Sequence, residues 1–224
     1  MPYLSYGDVQ LSRDDVELLK APNWINDSLI EFYYEYLERE LFPTSSGICF
    51  LRPALVQLIA HQEDPTQLKH ALPTDLQHQR AIFCPLTDVT DNSAGGSHWS
   101  LLVFFRDTNT FYYYDSYGNY NVPSAKYKLA KLYAAFTNDT SSAPAFAEVT
   151  TPSQINGYDC GCYVLAISDI LAKRLHSVFS SRKSVEVTGK PGDLAQWNIS
   201  KLLPPEEIHQ YRERVRQLIE ELRN

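Results

Sequence analysis

SHWSLLVFFRDTNTFYYYD, Ser97 to Asp115, is the stretch that decides the fold. Trp99 to Phe105 is an aromatic-rich apolar run broken only by Ser100, the signature of a buried strand. Asp107 to Thr110 has turn composition, and Phe111 to Tyr114 returns as a second strand, so the segment reads as a β-hairpin. His98 opens the first strand and Asp115 closes the second. Across an antiparallel ladder those two ends lie side by side, so an imidazole and a carboxylate far apart in sequence can meet. A carboxylate accepting the Nδ1 proton would fix the tautomer and turn Nε2 toward a nucleophile; that is the expected orientation.

A candidate nucleophile lies downstream, in QINGYDCG, Gln154 to Gly161, where Cys160 precedes a helical pattern running to Leu175. A helix N-terminus and a neighbouring imidazolium both stabilise a thiolate. Gly161 is expected to leave room for a substrate carbonyl beside the sulfur. The Gln154 side-chain amide and the Cys160 backbone N–H are candidate donors to a developing oxyanion. Cys162, two positions along the helix, would point about 200° away. Each residue alone has an ordinary reading: an inert buried cysteine, a surface histidine, a turn aspartate, a polar loop glutamine. Their presence together, in the order His98, Asp115, Gln154, Cys160, points to nucleophilic acyl chemistry.

Outward from these segments the pattern is helical at both ends. Ser12 to Asp15 resembles a capping box opening a short helix before Pro22. Asn26 or Asp27 caps a helix from Ser28 to about Leu41. Further helices are predicted over 53–61, 124–136 and 204–222, with strands over 81–86 and 145–149. A short helical piece is expected around Thr66–His70, and 179–193 stays open, with room for a short strand. The loop from Thr87 to Ser97, which carries Gly95-Gly96, buries little apolar surface and is expected to be mobile. The class is α+β, in one domain over 1–224, with a core over about 4–175 and a helical C-terminal part over 176–224.

Composition narrows the functions. The 224 residues are 44% hydrophobic and carry a net charge of −7. No basic stripe suggests nucleic acid, and no apolar run approaches membrane-spanning length. The four cysteines, Cys49, Cys84, Cys160 and Cys162, lack the spacing of a zinc site, so neither metal nor cofactor is expected. The first residues show no secretory pattern, so a cytoplasmic or nuclear setting is expected.

The set His98-Trp99, Tyr114-Asp115-Ser116 and Gln-x-Asn-x-x-Asp-Cys-Gly over 154–161 resembles the ubiquitin-like-protein proteases, the group that includes the sentrin/SUMO-specific proteases. Trp24-Ile25-Asn26-Asp27 resembles that family's Trp-Leu-Asn-Asp segment. The likeness runs from about Leu4 to Leu175. The resemblance implies a papain-like, adenain-like cysteine protease fold: a mixed sheet flanked by helices, with the nucleophile at a helix N-terminus. It implies catalysis by His98, Asp115, Cys160 and Gln154 on a modifier tail ending in Gly-Gly. Trp24 and Trp99 would enclose that tail, Gly95 and Gly96 would line its path, and Asp27 would pair with a tail arginine. The long loop before His98, ending AGGSHWSLLV, resembles the branch specific for the neddylation modifier, whose precursor and conjugates, such as cullins, would be the partners. A monomer is expected. The rival readings are a SUMO protease, an acetyltransferase using a related order of His, acid and Cys, and a non-catalytic module binding a ubiquitin-like protein.

Overall fold

The structure, a computed structural model, describes residues 1–89, 95–137, 142–180 and 194–223. It opens with a hairpin of β1 (Leu4–Tyr6) and β2 (Val9–Leu11), paired Leu4 to Leu11. The short α1 (Arg13–Glu17) starts at the expected capping box: the Asp15 amide donates to Ser12 Oγ at 3.1 Å, and the Ser12 amide donates to Asp15 Oδ2 at 2.7 Å. Next comes α2 (Asp27–Tyr36), where Asn26 is the cap, its Oδ1 accepting from the Leu29 amide at 3.2 Å. The helical pattern continues to Leu41 as predicted, but 37–41 widen into a π-helical turn.

The remaining elements are β3 (Ile48–Phe50), α3 (Pro53–His61), β4 (Ala81–Thr87), β5 (Trp99–Phe105), β6 (Thr110–Tyr114), α4 (Val122–Phe136), β7 (Ala145–Glu148), α5 (Cys160–Ser180) and α6 (Pro205–Arg223). A 3-10 turn covers Pro65–His70, as expected. The open segment at 179–193 lies outside the described residues from 181 onward, as does the centre of the 87–97 loop, 90–94.

Five strands form one mixed sheet in the order β3-β4-β5-β6-β7, with parallel pairs at both edges and antiparallel pairs in the middle. Alternate side chains serve opposite layers. Phe83, Leu101, Val103 and Phe105 pack with residues of α2, α5 and α6. Ile82, Cys84, Leu102 and Phe104 pack with residues of α3 and α4. Both faces of the central strands are covered, which is why the 99–105 run is apolar throughout instead of alternating. The α+β expectation holds. The C-terminal helix α6 is not an appendage: Ile208, Tyr211, Val215 and Ile219 belong to the same core cluster as the sheet and α5.

Candidate active site

The sheet register brings the first two side chains together. β5 and β6 pair Leu101 with Tyr114, so one step further Asp115 stands opposite Ser100, diagonal to His98 and on the same face of the ladder. The contact is direct: His98 Nε2 lies 2.6 Å from Asp115 Oδ1. This corrects the expected orientation, in which Nδ1 met the carboxylate. Nε2 is the ring nitrogen farther from the main chain, so it is the one that spans the diagonal to the next strand. A carboxylate can only accept, so Nε2 carries the proton there and Nδ1 is the ring nitrogen left to serve the Cys160 sulfur.

Asp115 is almost fully buried and saturated with donors. Besides His98 it receives the Tyr113 hydroxyl at 2.6 Å, the Tyr117 amide at 2.9 Å and the Asn121 amide at 3.1 Å. Burial pushes its pKa up, but the hydrogen bonds from His98, Tyr113 and Tyr117 outweigh it and hold the carboxyl below its ordinary value. Burial pushes His98 down, yet Asp115 on one side and Cys160 on the other raise it to about 9. The imidazole is thus built to stay protonated beside the Cys160 sulfur.

Cys160 is the first residue of α5, where the opening N–H groups have no intrahelical acceptor; the Tyr163 amide is the first to close the ladder, on Asp159 O at 3.0 Å. The turn before it is self-bonded. Asn156 Oδ1 accepts from the Tyr158 and Asp159 amides at 3.0 and 3.1 Å, and its Nδ2 donates to Asp159 Oδ2 at 2.7 Å. Gln154 ties this turn to the strand carrying Asp115: its Oε1 accepts from Ser116 Oγ and its main-chain amide donates to Ser116 O, both at 2.7 Å. One Gln154 Nε2 proton goes to Asn156 O at 2.7 Å, leaving the second N–H of that amide. The other three thiols sit in apolar surroundings, and burial pushes Cys49 and Cys162 up to about 12 and Cys84 well above its ordinary value.

Gly161 has a different role from the one expected. A Cβ there would lie 2.4 Å from Ile25 Cγ1 and 3.3 Å from Trp99 Cδ1. The missing side chain lets the helix end press against Ile25 and Trp99; the space is filled by protein.

A groove of about 480 Å³ is lined by Cys160 and His98 together with Trp24, Asp27, Gly95, Gly96 and Trp99 among others. All five predicted tail-binding residues therefore share one cleft. Trp99 is buried and donates its indole N–H to Ile25 O at 3.2 Å, which fixes the groove wall, while Trp24 is half exposed. Gly95 has φ +94, in the left-handed region that favours glycine. Gln154 is not among the lining residues.

Sequence reading missed three supports. Asp88 closes the root of the loop before His98, accepting from the Ser97 amide at 2.7 Å, Ser97 Oγ at 2.5 Å and the His98 amide at 3.3 Å. Ser124 and Lys128 of α4 both donate to Thr87 O at 2.8 Å. Arg212 of α6 donates to Asp159 Oδ1 at 2.6 Å and to the carbonyls of Leu18, Asn23 and Tyr158 at 3.0, 2.9 and 2.8 Å. An Asp beside a cysteine gives no hint of a partner 53 positions away.

Comparisons with known proteins give the family. The model of the Ulp1 protease family, C-terminal catalytic domain, matches residues 23–190. Sentrin-specific protease 8 of Rattus norvegicus is 40% identical over 174 residues, covering 77% of this chain and 80% of the relative. NEDD8-specific protease 1 of Arabidopsis thaliana is 36% identical, covering 76% of this chain and 75% of the relative. Among solved structures, the C-terminal Ulp1 protease domain in complex with SMT3, the yeast ortholog of SUMO, superposes with a TM-score of 0.71, covering 99% of this chain and 88% of that one. Its sequence identity of 18% speaks to the fold alone. With a family match over most of its length and relatives of this identity, the chain belongs to the Ulp1 protease family and is a cysteine peptidase.

Proposed function

We propose that this peptidase is a deneddylase: it cleaves after the C-terminal Gly-Gly of the neddylation modifier, in its precursor and in lysine isopeptides. The observation that carries this is the His98–Asp115–Cys160 array, whose His98 and Cys160 line one groove with Trp24, Trp99, Gly95 and Gly96. The modifier itself is favoured over SUMO by the relatives named NEDD8-specific protease or sentrin-specific protease 8, which share 32–40% identity with most of this chain. Cullins are the expected conjugates, the chain acts as a monomer, and its site of action is cytoplasmic or nuclear, in keeping with four unpaired thiols.

In this reading the modifier tail lies between Trp24 and Trp99, where a side chain larger than hydrogen meets an indole. Asp27, exposed at the groove, takes a tail arginine. The Cys160 sulfur attacks the terminal glycine carbonyl, and the oxyanion is held by the Cys160 backbone N–H and the second N–H of Gln154. His98 passes its Nδ1 proton to the leaving amine, then takes one from water as water attacks the thioester. Asp115 holds the imidazole through Nε2 throughout. An acetyltransferase would need a different acyl donor, and a pure binding module has no use for a buried, donor-saturated Asp115 behind an imidazole.

Incubation with C-terminal electrophilic derivatives of several modifiers tests the assignment. Rapid adduct formation with the neddylation modifier, absent in Cys160→Ala, is expected. Attachment of the SUMO derivative in its place would refute the choice of modifier.

A further inference from the structure

Two large aromatic side chains beside the catalytic imidazole belong to no part of the groove. Tyr117 and Tyr120 are 58% and 55% exposed, unusual for rings in the middle of an active site. Their ring centroids lie 5.9 and 5.5 Å from that of His98 and 6.0 Å from each other, the Tyr117–Tyr120 and Tyr120–His98 pairs edge to face. Neither lines the cleft of Trp24 and Trp99. The turn that carries them is held firmly: the Tyr117 and Asn121 amides both donate to Asp115, and Ser116 is bonded twice to Gln154. Gly118, at φ +68, lets the chain reverse between the two tyrosines. The rings are thus exposed on a backbone that is held in place, which lowers the entropy cost of binding to them.

The reaction needs a surface here. As the Cys160 S–C bond forms and the C–N bond breaks, the leaving nitrogen must lie against His98 to receive its Nδ1 proton. The acyl half of the substrate occupies the groove, so the amine half departs over the surface beside the imidazole, where Tyr117 and Tyr120 pack near its ring. We propose that Tyr117 and Tyr120 form a leaving-group subsite for the aliphatic stem of the substrate lysine, making the enzyme more effective on isopeptides than on other leaving groups. Four methylenes of a lysine match the apolar faces of two adjacent rings, and the amine released by cleavage, once it takes a second proton from solvent, can remain over a ring face as an ammonium. The inference rests on the isopeptidase reading above.

The experiment compares two reactions of one double variant, Tyr117→Ala/Tyr120→Ala. The first is cleavage of the modifier joined through its terminal glycine to the lysine Nζ of a short peptide. The second is labelling of Cys160 by the same modifier bearing a C-terminal vinyl sulfone, which has no leaving amine. A fall of about tenfold in kcat/KM for the isopeptide, with labelling changed less than twofold and the alkaline limb of the pH profile unmoved, is expected. Tyr117→Phe/Tyr120→Phe should recover most of the isopeptide rate, because ring faces and not hydroxyls carry the contact. Unchanged isopeptide cleavage overturns the proposal. So does a parallel loss of labelling, or a shifted alkaline limb, since either would mean that the rings only hold His98. If the parent reacts with the SUMO derivative instead, the modifier assignment fails, and the same comparison run with SUMO still reads the subsite.

Discussion

Arg212 is a buried charged residue whose removal should cost this fold heavily. It is 3% exposed and its partner Asp159 7%. Arg212→Ala leaves the Asp159 carboxylate buried without its counter-ion, and the Leu18, Asn23 and Tyr158 carbonyls without the guanidinium that joined them. Breaking a buried pair by deleting one partner costs about 3–5 kcal/mol. Water entering the vacated space offsets part of the carbonyl loss, so the same range is expected overall. Against a total stability of about 5–15 kcal/mol this is a large fraction. At about 2–4 °C per kcal/mol for a chain of this size, the midpoint should fall by roughly 6–20 °C. Thermal and urea unfolding measure it, and a cycle with Asp159→Asn isolates the pair. The Arg212→Ala penalty should shrink by about 1–3 kcal/mol in the Asp159→Asn background, as contacting residues do. Arg212→Lys should recover only part, since an ammonium cannot serve four acceptors in fork geometry. A parent-like midpoint, or strict additivity in the cycle, would refute the claim that α6 secures the turn behind Cys160.

Three further outcomes are expected. Because His98 is raised to about 9, its imidazolium persists well above the ordinary value near 6.5, so activity should decline on the alkaline side around pH 9. The stabilisation that this charge lends the fold is complete below about 6.5 and fades as pH rises toward 9. Asp115→Asn should move the alkaline limb to lower pH and remove most of the rate; an unmoved limb would mean that another group orients the ring. Gly161→Ala should destabilise by about 1–3 kcal/mol through overpacking against Ile25 and Trp99, with favourable coupling to Ile25→Ala in urea unfolding; a neutral Gly161→Ala would show that the helix end shifts freely. Alkylation at neutral pH followed by mass spectrometry should modify Cys160 first and leave Cys162 thiol intact, since burial holds the latter near 12. An equally fast adduct in Cys160→Ala would contradict this.

Much of the site was legible in the chain itself. The 97–115 segment specifies its hairpin because two apolar runs around a polar turn have one low-cost pairing, and that pairing alone sets His98 near Asp115. The capping box at Ser12 and the cap at Asn26 are local chemistry, readable wherever side chain and amide are three residues apart. Strands of three residues, such as β3 at Ile48–Phe50, carry too little pattern to be seen; β3 exists because β4 offers it an edge. The 37–41 turn widens to π geometry with no residue in it that requires this.

What the sequence by itself determined was the chemistry: the identities and order of His98, Asp115, Gln154 and Cys160, with Trp24, Trp99, Asp27 and Gly95-Gly96 added by the family resemblance those residues carry. What only the tertiary structure decided was how these groups face one another. Which imidazole nitrogen meets Asp115 depends on the diagonal offset of two strands, and what fills the space beside Gly161 depends on how α5 docks on Ile25 and Trp99. The pairing of Asp159 with Arg212 depends on α6 folding back over α5. Local rules reach a few residues along the chain, whereas each of these contacts joins segments that meet only once the core has closed, so its geometry is a property of packing.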